Sequence, residues 1–269
     1  MTELELNAEN IAAQIVVLLR GLAASPPPDD SEGPMTNLAH LYRMRGIAQF
    51  LLEADVAALA ADLQRSVQAR TVYLQACARG APSSPRFRRT TRNRAFFDAL
   101  AVNDLAGATE LAELCDGIWV EELEYEDDFL FVDYLQKHWL VRRGARPAGD
   151  EAAVVERFEE VLEDPTESPF YELCGALERK DARAAEEALR AIMQRRAANY
   201  EALARTGDLP QIILHTERFL DVQGVGVVRL AAEAGLALEN GSYPRIPAEV
   251  VAASFGSPPS LPADAWSRP

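Results

Sequence analysis

The chain has 269 residues, 48% of them apolar and 26% charged, enough to build a sizeable soluble core as one large domain or two smaller ones. No run approaches the roughly eighteen consecutive apolar residues of a membrane span, which excludes one. The net charge of −15 is concentrated: from Asp104 to Asp181 there are 22 Asp plus Glu against 7 Lys plus Arg, so the two flanks are nearly neutral. Such a surface repels phosphate, which argues against a nucleic-acid binder, and attracts a basic partner.

Taken in order, residues 6–23 read as an amphipathic helix, with Ile11, Ile15, Val16, Leu18, Leu19 and Leu22 at helical spacing. Four prolines and a glycine between Ser25 and Pro34 predict an exposed loop. Thr36 is placed to cap a second helix running to about Glu53, and Asp55 to cap a third running to about Arg79. Five arginines follow within Arg86–Arg94; without a glycine-rich cradle they read as neutralising the acidic middle or lying solvated. Phe96–Val102 and Asp104–Cys115 form a short helical hairpin.

The stretch Trp119–Trp139 is the pivot of the chain. Its first half carries Glu121, Glu122, Glu124, Glu126, Asp127 and Asp128 in eight positions, while Phe129, Val132, Leu135 and Trp139 in its second half form a helical stripe fit only for a core. Glu124, Asp127 and Asp128 have the spacing of one helix face. Beyond it come a helix over 150–162, a hairpin of 170–180 with 181–205, and an apolar helix over about 216–235 whose stripe includes Phe219, Val222 and Val225. A short turn closes the domain near 252, and residues 253–269 read as a loose tail.

No strand pattern survives, so the expected fold is all-α, a single helical domain over 1–252 with a sub-boundary near 80–90. A degenerate repeat supports it. Leu51, Asp55 and Leu59, then Leu100, Asp104 and Ala108, then Leu177, Asp181 and Ala185 share one spacing, with the aspartate at each helix junction. The unequal intervals predict an irregular array of antiparallel hairpins, loosely tetratricopeptide-like.

Chemistry is sparse. His40, His138 and His215 are far apart, and none has a ligand partner at helical spacing, so no metal or cofactor is expected. Cys77, Cys115 and Cys174 are widely spaced and odd in number, as buried reduced thiols are. No nucleophile elbow, phosphate loop or zinc-protease motif occurs, and Gly224-Val-Gly226 lacks the third glycine of a dinucleotide turn. Glu3 and Glu5 stand where a secretory signal is basic, giving a cytoplasmic address as the expectation.

Phe96-Phe-Asp-Ala-Leu-Ala101, Glu124-Tyr-Glu-Asp-Asp-Phe129, Val227 to Leu236, and Ser242-Tyr-Pro-Arg-Ile-Pro247 give the region 86–250 a resemblance to the immunity protein 49 family of bacterial polymorphic-toxin systems. The resemblance implies a non-enzymatic cytoplasmic antidote that binds a cognate toxin delivered by a kin or rival cell. It supplies no catalytic residues. The acidic run Glu121–Asp128 is then the expected docking surface for a basic toxin, for instance a nuclease. Two other readings stay open: a helical scaffold or regulator with a different partner, and a metal-dependent enzyme using the same carboxylates.

Overall fold

Three aspartates make the joints of this molecule. The computed structural model describes residues 1–24, 32–238 and 243–253; most of the expected exposed loop and nearly all of the expected tail lie outside them. Asp55 accepts from Ala58 N at 2.9 Å, Asp104 from Gly107 N at 2.9 Å, and Asp181 from Ala184 N at 3.1 Å. The residue before each is left-handed: Ala54, Asn103 and Lys180 have φ of 54°, 60° and 54°. Each joint therefore fuses a left-handed helix stop to an aspartate start. Asp104 N and Asp181 N also donate back to Ala99 O and Ala176 O, at 2.8 and 2.9 Å, satisfying carbonyls the ending helix leaves free.

These joints connect α2 (Glu32–Glu53) to α3 (Val56–Ala78), α5 (Arg94–Ala101) to α6 (Leu105–Glu113), and α9 (Pro169–Arg179) to α10 (Ala182–Thr206). Around them lie α1 (Glu3–Ala24), the single turn α4 (Pro85–Arg88), α7 (Glu126–Arg142), α8 (Ala152–Val161), the single turn α11 (Gln211–Leu214), α12 (Val222–Glu233) and α13 (Ala248–Ala252). Short 3-10 turns occupy Thr90–Arg92 and Pro165–Glu167. The fold is all-α; among the described residues there are no strands, only an isolated bridge between Tyr243 and Ile246.

Two starts differ from expectation. Helix α2 begins at Glu32, so Pro34 sits in its first turn, where no backbone N–H is required. Thr36 is consequently interior to the helix rather than its cap, with a buried hydroxyl that has no hydrogen-bond partner among the described residues. Helix α12 begins at Val222, capped by Asp221, which accepts from Gly224 N at 2.9 Å. Phe219 falls before that cap and is 51% exposed, outside the stripe assigned to it.

One continuous buried cluster runs from Ile11 in α1 to Val250 in α13. Every residue of α5 from Ala95 to Ala101 is buried, and α12 lies against it through Gly226. That contact joins distant parts of the chain. In a tetratricopeptide stack each hairpin touches only its neighbours; here α12 closes the array upon α5. Helix α7 is buried from Phe129 to Gln136 and again over His138–Leu140, with Trp139 Nε1 donating to Thr109 Oγ1 of α6 at 3.1 Å and Phe131 stacked on Phe170 of α9 at 4.3 Å.

Candidate functional site

Between α6 and α7 the backbone of residues 115–125 forms no helix, and one carboxylate organises it. Glu124 Oε1 accepts from Val120 N at 3.2 Å; its Oε2 accepts from Thr91 N at 3.1 Å and from Thr91 Oγ1 at 2.7 Å. Trp119 Nε1 donates to Glu124 O at 3.2 Å. The arginine run supplies further anchors, Arg88 pairing with Asp116 and Arg89 donating to Leu123 O. Part of the arginine run thus neutralises and ties down the acidic segment.

Anchored in this way, the loop presents apolar side chains to solvent. Ile118 is 63% and Tyr125 80% exposed, with Leu123 also exposed between them. Glu121 and Glu122 are exposed in the same turn and have no ion pair among the described residues.

The six carboxylates therefore do not form one surface. Glu124 turns inward as the loop's anchor. Glu126, Asp127 and Asp128 open α7, where negative charge meets the positive end of the helix dipole. Glu126 pairs with Arg157 of α8 at 2.8 Å, and Asp127 Oδ1 accepts from Asp128 N at 2.9 Å. Desolvation and the Asp127 charge push the Asp128 carboxyl above its ordinary value.

Asp128 and Tyr125, with Arg43, Thr91 and Arg94, line both of two adjoining cavities of about 740 and 460 Å³. The lining is rich in arginine although the protein is acidic: Arg43 of α2, Arg70 of α3, Arg89, Arg92, Arg94 of α5, Arg195 and Arg196 of α10, and Arg245. An ion network lies beneath. Arg43 reaches Asp98 at 3.1 Å and Glu217 at 3.3 Å; Arg94 reaches Glu217 at 3.0 Å; Tyr200 donates to Glu217 at 3.3 Å; Ser66 donates to Asp98 at 2.7 Å. Arg196 and Arg245 share Asp221 at 3.4 and 3.3 Å.

The charges tune one another. Burial alone would raise the Glu217 carboxyl, but Arg94 and Arg43 outweigh it and hold it at about 2. At Asp98 burial prevails over Arg43 and pushes the carboxyl up to about 6. Burial, helped by the arginines, brings His40 down to about 4, so it is a neutral imidazole at pH 7. Arg70 is 2% exposed and has no ion pair among the described residues: it donates Nη1 to Phe87 O at 2.8 Å, lies over the Tyr73 ring, and leaves Nε and Nη2 without a hydrogen-bond partner among them.

Nothing in the linear spacing announced this cleft. Its arginines come from several separate segments, and only the pair Arg195-Arg196 is adjacent in sequence. The cysteines play no part in it: Cys115 and Cys174 are buried with thiols pushed up by desolvation, Cys77 is half-buried, and all three are free.

The sequence model of immunity protein 49 matches residues 56–243, more than half of the chain, including the whole loop and most of the cleft but not His40, Arg43 or Arg245. No curated protein and no solved structure matches. Among the described residues no helix is long and apolar enough to cross a membrane.

Proposed function

The chain belongs to the immunity protein 49 family, and from that premise we propose that it binds a cognate toxin protein and neutralises it by occlusion, without turnover, using the loop Ile118–Tyr125 as its docking edge. One observation carries the assignment of the edge: a loop held by the half-buried Glu124 carboxylate exposes Ile118, Leu123 and Tyr125 beside Glu121 and Glu122, which have no ion pair among the described residues. A preformed loop loses little conformational entropy on binding. An exposed tyrosine is a common anchor of interface energy, and flanking carboxylates steer a basic partner and accept from its arginines.

A nuclease acting in the cytoplasm suits this chemistry, since a surface built to hold phosphates is basic. The cleft behind the loop offers a second contact. Among the described residues Arg70 is buried without a counter-charge, and an acidic side chain of the partner reaching past Tyr125 would supply one.

The test is co-expression of the tagged chain with the product of the adjacent gene, together with growth of cells carrying that gene alone. A stable complex and rescue from toxicity establish the antidote reading. A neighbour that is harmless alone and does not co-purify overturns it in favour of a scaffold with another partner.

A further inference from the structure

Outside the loop and the cleft, three helices bring together side chains of another kind. His138 lies in the last third of α7, Glu151 immediately precedes α8, and Glu178 lies near the end of α9. One ligand atom from each falls within 4.8 Å of the other two. We propose that His138, Glu151 and Glu178 bind a divalent transition-metal cation of the zinc type.

Two buried atoms point to a ligand independently of the clustering. His138 is 6% and Glu151 7% exposed, yet His138 Nε2 and Glu151 Oε2 have no hydrogen-bond partner among the described residues. An imidazole nitrogen and a carboxylate oxygen left bare in a buried space are the two donor types that zinc accepts from protein.

Tyr134, one turn before His138, prepares both ends of the site. Its hydroxyl lies 3.4 Å from His138 Nδ1 and donates to Glu178 Oε1 at 3.0 Å or to Cys174 O at 3.0 Å, with its ring stacked on the imidazole. A hydroxyl has one proton, so while it donates to either oxygen it faces His138 as an acceptor. That places the imidazole proton on Nδ1 and the lone pair on Nε2, the bare atom. An outer partner of this sort orients a ligating histidine and fixes its tautomer.

Electrostatics agree with the geometry. Burial brings His138 down to about 4, leaving the neutral form that can coordinate, while burial and the nearby Glu178 charge push the Glu151 carboxyl up. A cation between the carboxylates relieves that repulsion. Ligand atoms of a tetrahedral zinc with bonds of about 2.0–2.2 Å lie about 3.4 Å apart, so closure requires a movement of about 1 Å. Glu178, on the exposed side, is free to make it. The nitrogen ligand disfavours calcium and magnesium. A bound ion would join α7, α8 and α9, and water would complete its coordination.

The experiment uses the full chain, stripped with chelator and titrated with zinc by calorimetry and with cobalt by visible absorption. Expected are binding at one equivalent, a rise in Tm with zinc, and the absorption of low-coordinate cobalt. Glu178→Gln, at an exposed position, should keep the fold and lose at least about tenfold in affinity, and His138→Gln should lose binding. Absence of saturable binding up to millimolar zinc overturns the proposal. So does wild-type affinity in both variants, which would leave the pair as a histidine facing a protonated glutamate. None of these readouts depends on a toxin partner.

Discussion

Arg94 and Glu217, 123 residues apart in the chain, meet through both carboxylate oxygens, Arg94 Nη1 lying 3.1 Å from Oε1 and 3.0 Å from Oε2. The same carboxylate serves Arg43, whose side chain is 4% exposed. Glu217→Gln keeps the shape and removes the charge that balances both. Because Arg43 retains Asp98 and Arg94 is half-exposed, the cost should lie at the low end for breaking a buried pair, about 3 kcal/mol. Urea denaturation at pH 7 measures it; a loss below about 1 kcal/mol would show that the network is not coupled.

The cleft should also respond to acid in a specific way. His40 titrates at about 4 in the fold against 6.5 when free, so its contribution is complete above pH 6.5 and is lost as pH falls towards 4. Asp98, at about 6 against 3.8, has the opposite sign: the folded state holds its proton more tightly, and stability is gained as pH falls through 6. Between pH 6.5 and 4 the two oppose each other. Glu217, at about 2 against 4.5, adds a loss that begins below pH 4.5. Relative to the wild type, His40→Gln should grow more stable on going from pH 7 to pH 4, and Asp98→Asn should grow less stable. Urea midpoints across that range decide it, and parallel curves would contradict the assignment.

The loop separates support from contact. Glu124→Ala removes three acceptor contacts and should loosen residues 118–125, seen as altered Trp119 fluorescence with the helical signal retained. The exposed set Glu121→Lys, Glu122→Lys and Tyr125→Ala should leave fluorescence and Tm unchanged and weaken partner binding by at least about a hundredfold, as expected for loss of an aromatic anchor with charge reversal. Unchanged affinity in the triple variant would remove this loop from the interface.

Gly226 is where α12 comes closest to α5. A Cβ there would stand 2.7 Å from Phe97 O and 3.0 Å from Phe97 Cα, a clash with backbone that cannot rotate away. Gly226→Ala should cost about 2 kcal/mol or more despite its better helix propensity, read as a fall in the urea midpoint. An unchanged midpoint would mean that the two helices can part without loss.

The all-α class, the buried half of α7 and the three aspartate joints were legible in the sequence because each depends on residues within a few positions: a periodic stripe, or a cap and the amides two or three residues ahead. The left-handed stops at Ala54, Asn103 and Lys180 were not, since only Asn among these types commonly marks that conformation. The acidic run was visible as composition, but its division into an anchor, a helix start and an exposed edge was not. Glu124 is withdrawn from the surface by Thr91, and Glu126 by Arg157, partners more than thirty positions away. The arginine cleft and the His138, Glu151 and Glu178 cluster exist only where separate helices converge. By itself the sequence determined the long helices and most of their buried faces, because these follow from local hydrogen bonding and apolar period. Tertiary structure alone decided which charges are neutralised and which are left free, because pairing depends on distances across the core that no linear spacing records.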